Sequence, residues 1–220
     1  MENLFFLFDS VHLLKCIRNN WLGLSDSAKT FIFQDVSNEG TRKASLSHVR
    51  QLHESEKDSI VKLAPSLTQK ALYPSNIERQ NVKLVLQMFD EKVSVALNHI
   101  GQHSGRDVSG TQAFIDLIIK LWEILNVKST SKGFRKRDVD SNPIYKVDDK
   151  RISFLNDVHN WLCKWENFSQ KAREGRLTNE TLVALKHTVN TFVHLVPYLL
   201  NEMHLLFILT GKFQTDCLEA

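Results

Sequence analysis

Cysteine, glycine and proline are all scarce in this chain of 220 residues. The 3 cysteines, Cys16, Cys163 and Cys217, lie far apart with no Cys-x-x-Cys pair, which argues against a zinc knuckle or a redox dithiol. So sparse and odd a count points to reduced thiols in the cytosol or nucleus. With 8 glycines and 4 prolines, the chain lacks the turn residues of an all-β fold and favours helices. Charge of one sign is also lacking: 28 Lys+Arg face 25 Asp+Glu, a net +3. That excess marks a nucleic-acid binder only if it is clustered. No apolar run is long enough to span a membrane, and no basic region precedes the apolar Leu4 to Phe8 as it would in a secretory signal. The phosphate loop GxxxxGK[ST], the dinucleotide turn GxGxxG and the nucleophile elbow GxSxG are all missing.

What is present is ordinary globular material. Hydrophobic content is 42% and charged content 24%, and a chain of this length hides roughly 70% of its unfolded surface. Residues 3–8 read as a buried strand, 205–209 as a buried strand or a buried turn, and Phe31-Ile-Phe33 as a short strand. A helix follows from Val11 to Leu22, with Ser10 as its cap. Residues 34–74 read as an extended connection with one or two helical turns. Ser75-Asn-Ile-Glu78 has the form of a capping box opening a long helix to Ile100, ended by Gly101, Gly105 and Gly110. Apolar stripes place further helices over Thr111–Asn126, Arg151–Phe168 and from Thr178 to a kink or an end at Pro197. A polar, basic loop fills 127–150. The fold class is therefore mainly α, with a few strand-like fragments at both ends that are too few to make a sheet alone.

Four features carry possible chemistry. Asp9, after an apolar run, is placed for a metal site or simply for a helix start. Asp216 and Glu219 are an i, i+3 pair, either hard oxygen ligands for Mg²⁺ or solvated acids. Lys132, Arg135, Lys136 and Arg137 form the dense basic cluster, suited to phosphates, to nuclear import or to solvent, and diluted by Asp138 and Asp140. Trp122, Trp161 and Trp165 sit at helical spacing and read as core. His12, His99, His159 and His194 read as core or surface groups rather than metal ligands.

Several segments, in order, resemble the P-element-type DNA transposases, including those with a THAP domain. These are Phe8-Asp-Ser-Val-His-Leu-Leu-Lys-Cys-Ile-Arg-Asn-Asn20 and Leu72-Tyr-Pro-Ser-Asn-Ile-Glu-Arg-Gln-Asn-Val-Lys-Leu84. Trp122-Glu-Ile-Leu-Asn126 follows, with Lys132-Gly-Phe-Arg-Lys-Arg137 after it and Leu209-Thr-Gly-Lys-Phe-Gln-Thr-Asp-Cys-Leu-Glu219 last. The resemblance implies an RNase H-like (α/β) catalytic domain interrupted by a helical insertion that binds GTP. On that pattern, residues 1–33 are an RNase H-like fragment, 34–203 the GTP-binding insertion and 204–220 the start of a second RNase H-like fragment.

The family's activity is cut-and-paste strand transfer with two Mg²⁺ ions held by carboxylates. Asp9 corresponds to its second catalytic Asp, Glu219 to its final Glu, and Asp216 to the acid one turn earlier. Lys83, Trp122, Glu123 and Asn126 fall on guanine-nucleotide positions. Trp122 stands where the family commonly has Phe, and Glu123 where it usually has Asp. Lys132, Arg135, Lys136 and Arg137 would meet nucleic acid. The implied partners are transposon DNA, GTP and a second copy of the chain, in the nucleus and away from membranes. The family's first catalytic Asp lies on an earlier strand. The expectation is therefore a truncated or domesticated transposase that is not catalytically competent alone. The competing expectation is a non-enzymatic helical module that binds DNA or protein through the basic loop.

Overall fold

The computed structural model describes residues 4–23, 29–35, 40–169 and 175–214. Helices α1 (Ser10–Leu22), α2 (Leu46–Ser55), α3 (Gln69–Leu72), α4 (Val82–Met88) and α5 (Glu91–Ser104) precede the longer α6 (Ser109–Leu125). After it come the short α7 (Lys132–Lys136), then α8 (Lys150–Ser169) and α9 (Asn179–Asn201). Among the described residues, strands β1 (Thr30–Gln34) and β2 (Thr41–Ser45) pair as one antiparallel hairpin, Ile32 opposite Lys43. The chain is mainly helical and divides into two compact units. One comprises Met1–Leu13, Lys120–Glu166 and Asn179–Ala220; the other comprises Leu14–Ile119 and Asn167–Thr178.

The second unit is built around Trp21. Its buried indole lies 6.1 Å from both Phe31 and Phe89 in stacked geometry, and 5.2 Å from Phe114 edge-on. Its Nε1–H donates to the Ala44 carbonyl of β2 at 3.2 Å. One turn earlier, the fully buried Arg18 donates to the carbonyls of Arg79 (2.8 Å) and Glu78 (3.4 Å), tying α1 to the 78–80 turn. Burial, and then the neighbouring Arg79 charge, lower Arg18 to about 10, which leaves it protonated at neutral pH.

The expected capping box is present: Ser75 N–H donates to the Glu78 carboxylate at 2.9 Å and Glu78 N–H to Ser75 Oγ at 3.4 Å. It opens only a 3-10 turn, Glu78–Gln80, not a helix to Ile100. Two more caps cut the stretch. Asn81 Oδ1 accepts from Lys83 N–H at 2.9 Å to start α4, and Asp90 Oδ1 accepts from Lys92 N–H at 2.8 Å to start α5. Of the three glycines expected to end the helix, Gly105 does so in the left-handed conformation (φ 65°), while Gly101 lies inside α5 and Gly110 inside α6. The connection read over 34–74 holds β2 and the ten-residue α2 as well as α3.

The first unit corrects both terminal strands. Residues 4–9 carry no strand assignment, and Leu4, Phe6 and Phe8 are exposed rather than buried. Their backbone bonds to helix side chains instead. Phe8 N–H donates to Thr188 Oγ1 at 3.1 Å, and Thr191 Oγ1 donates to the Phe6 carbonyl at 3.0 Å, both threonines being on α9. Asp9, not Ser10, caps α1, its Oδ1 accepting from Val11 N–H at 2.7 Å. Within 205–209, Ile208 alone is buried and makes a single bridge to Ile144. Helix α9 continues through Pro197 to Asn201, where Asn179 begins it close to the expected Thr178. Trp161 and Trp165 are core on α8, 5.0 Å apart, as expected.

Candidate nucleotide site at the end of helix six

Three residues that the resemblance singles out share one turn. Trp122 and Glu123 lie on the last turn of α6 and Asn126 just beyond it, so Asn126 neighbours each of them, at i, i+4 from Trp122 and i, i+3 from Glu123. The turn is held by the segment after α9. Thr210 Oγ1 donates to the Ile124 carbonyl at 2.5 Å and accepts from Val127 N–H at 3.3 Å. Gln214 Nε2 donates to the Leu125 carbonyl at 3.3 Å, and Gly211 N–H to the Val127 carbonyl at 2.9 Å. These bonds satisfy carbonyls that a helix end leaves orphaned. A side chain at position 211 would put its Cβ 3.0 Å from the Asn126 backbone carbon and 2.7 Å from Lys128 Cγ, so only glycine allows this approach. The sequence showed Thr210, Gly211 and Gln214 inside its closing motif but gave them no role.

Glu123 is the electrostatic centre. Its Oε2 lies 2.7 Å from Lys132 Nζ and accepts from the Ser141 hydroxyl; its Oε1 lies 2.8 Å from Lys136 Nζ. Burial by itself pushes the carboxyl up. The hydrogen bonds from Lys132, Lys136 and Ser141 outweigh it and hold the group down at about 2. Lys132 also donates to the Asn126 carbonyl at 3.1 Å, so one ammonium bridges both residues. Asn126 Oδ1 is buried and has no hydrogen-bond partner. Trp122 is half-buried on the same turn, not core.

This arrangement fits a guanine base. A carboxylate ionised at neutral pH accepts from N1–H and the 2-amino group, an amide oxygen without a partner offers a further acceptor, and an indole offers a stacking face. Three of the carboxylate's roughly four lone-pair sites are in use, which leaves one open.

The other expected residues are placed as follows. Lys83 is exposed on α4, in the second unit. Arg135 and Arg137 are exposed beside Phe134, which is 85% exposed, around a surface concavity of about 540 Å³. Lys132 and Lys136 of the same basic cluster are turned onto Glu123. Asp9 is a helix cap, while Asp216 and Glu219 lie outside the described residues. Among the described residues, no three His, Cys, Asp or Glu side chains are grouped to hold a metal ion. The sequence reading passed over one spacing: His99 and His103 are an HxxxH pair on α5, with rings 4.2 Å apart and His103 Nδ1 bonded to the His99 carbonyl at 2.7 Å.

The profile of the TNP-like, GTP-binding insertion domain matches residues 11–137, more than half of the chain. The chain belongs to that family. The match takes in the Trp122 to Asn126 turn and the lysines that face Glu123, and it agrees with the P-element-type resemblance of the motifs. The insertion domain's fold is also similar to a solved structure, the Drosophila P element transposase strand transfer complex. The two share 18% identity and a TM-score of 0.75 over 97% of this chain. The alignment covers 44% of that chain, so the insertion-domain protein spans less than half the length of the transposase it matches. No curated protein matches it. No helix among the described residues is long and apolar enough to cross a membrane.

Proposed function

We propose that this chain is the guanine-nucleotide-binding part of a P-element-type transposase. The base would be read by Glu123 and Asn126 and stacked on Trp122. The observation that carries this reading is the turn at the end of α6, where an ionised Glu123 and the partnerless Asn126 Oδ1 stand together inside the family match. GTP would supply binding energy and an ordered polyanion here.

In the whole protein the bound nucleotide would serve DNA strand transfer in the nucleus. Asp9, Asp216 and Glu219 are the candidate carboxylates for Mg²⁺. Asp9 caps α1 through Oδ1 in this chain, and nucleotide binding is the activity we assign to the chain alone. Titration calorimetry with GTP and Mg²⁺ tests it. GTP should bind with measurable heat and ATP should not; silence with GTP, or equal binding of ATP, rejects the guanine reading.

A second reading is favoured by Arg135, Arg137 and the exposed Phe134, which together offer cations and a stacking ring to DNA. It requires salt-sensitive DNA binding that is lost when both arginines are neutralised.

A further inference from the structure

Two of the four cations in the basic cluster are not free to meet nucleic acid. Lys132 and Lys136, the first and last residues of α7, are bound to Glu123 of α6, and they approach different oxygens. Their surroundings also differ. The Lys132 side chain is 21% exposed and the Lys136 side chain 51%. Ser141, on the same oxygen as Lys132, is fully buried. One side of the carboxylate is therefore built in, and the other is closed only by a long side chain at the surface.

The built-in side has further support. The Ser141 hydroxyl also reaches Asp138 Oδ2 at 2.8 Å, and its single hydrogen serves one carboxylate at a time, so Ser141 couples Glu123 to Asp138. The loop beyond is pinned by Arg151, whose guanidinium donates to the Pro143 carbonyl at 2.9 Å, to the Asn142 carbonyl and to Asp149 at 2.7 Å. Lys132, through Glu123 Oε2 and the Asn126 carbonyl, sets the spacing of the two groups that would read the base.

We propose that Lys132 and Ser141 are positioning residues for guanine selectivity, and that Lys136 is the exchangeable occupant the base displaces from Glu123 Oε1. The proposal rests on the reading of Glu123 as the guanine acceptor. Lys132 and Ser141 keep the carboxylate ionised and aimed. The donors of the guanine edge then replace Lys136, which returns to solvent at little cost because it is already half-exposed.

Two measurements test this, and they fail separately. In the nucleotide-free protein, the carbon-13 shift of the Glu123 side-chain carboxyl is followed as pH falls. Lys132→Ala should move that titration upward by about one pH unit or more; an unmoved titration overturns the proposal whatever nucleotide does. Calorimetry then compares GTP with ITP, which lacks the 2-amino group. Lys132→Ala and Ser141→Ala should each weaken GTP roughly tenfold and narrow the GTP/ITP ratio, the loss of one charge-assisted contact. Ser141→Thr, which keeps the hydroxyl, should restore most of the affinity. Lys136→Ala should bind GTP more tightly than the wild type. Equal losses for Lys132→Ala and Lys136→Ala with an unchanged ratio would show general attraction to phosphate and overturn the proposal. Absence of GTP binding by the wild type would reject the guanine reading itself, with the carboxyl titration still deciding whether Lys132 sets the state of Glu123.

Discussion

Trp21→Ala is expected to cost about 3–5 kcal/mol, a large part of a domain's stability. The indole is completely buried and touches three aromatic rings from different parts of the second unit, β1 (Phe31), the turn after α4 (Phe89) and α6 (Phe114). Removing it leaves a cavity that rigid rings fill poorly, and leaves the Ala44 carbonyl without the 3.2 Å bond from Nε1. Urea denaturation monitored by circular dichroism should show the midpoint falling sharply. Trp21→Phe should lose less, since it keeps most of the ring and forfeits mainly the hydrogen bond. Equal losses for the two variants would place the stabilisation in the hydrogen bond and not in the packing.

Glu123→Gln should weaken GTP by about a hundredfold while leaving the fold intact. The amide puts an N–H where guanine also donates, and it removes the charge that Lys132 and Lys136 neutralise. The pH dependence follows from the same contacts. The folded carboxyl is depressed to about 2, so its ionised form, and the stability it brings, are present above the ordinary carboxylate range and are lost only as pH falls toward that value. Affinity of the wild type for guanosine, which carries no titrating phosphate, should therefore hold through pH 4–5, where an ordinary glutamate is partly protonated. Fluorescence or calorimetric titration across that range checks it; an affinity that falls with a midpoint near 4.3 would show an unassisted carboxylate.

The helices with clean apolar stripes were legible in the sequence: α6, α8 and α9 fall within a few residues of expectation. Others were hidden for physical reasons. β2 is Thr-Arg-Lys-Ala-Ser, with Ala44 its one buried residue, so it shows no apolar alternation. α2 buries only Leu46, Val49 and Leu52 among polar residues. The stretch from Ser75 to Ile100 reads as one helix because its stripe persists through Asn81 and Asp90, and only the side-chain bonds show them as caps. The apolar run at residues 4–8 has the alternating exposure of a strand, but its hydrogen bonds go to Thr188 and Thr191, which no periodicity reveals.

The candidate site divides in the same way. Trp122, Glu123 and Asn126 are close in sequence, so helical spacing alone sets Asn126 beside each of the other two. The contacts that give the turn its chemistry arrive from a distance. Lys132 and Lys136 come from α7, Ser141 from the loop after it, and Thr210 and Gln214 from more than 80 residues onward. The basic cluster shows the cost of reading charge without partners: half of it is the counter-charge of Glu123.

A structure of the chain with GTP tests the central claim most directly. The account predicts the guanine edge on the Glu123 carboxylate beside Asn126, the ring against Trp122, and Lys136 displaced while Lys132 and Ser141 stay in place. A base bound elsewhere, with the Glu123–Lys136 pair intact and the turn at the end of α6 empty, would contradict it.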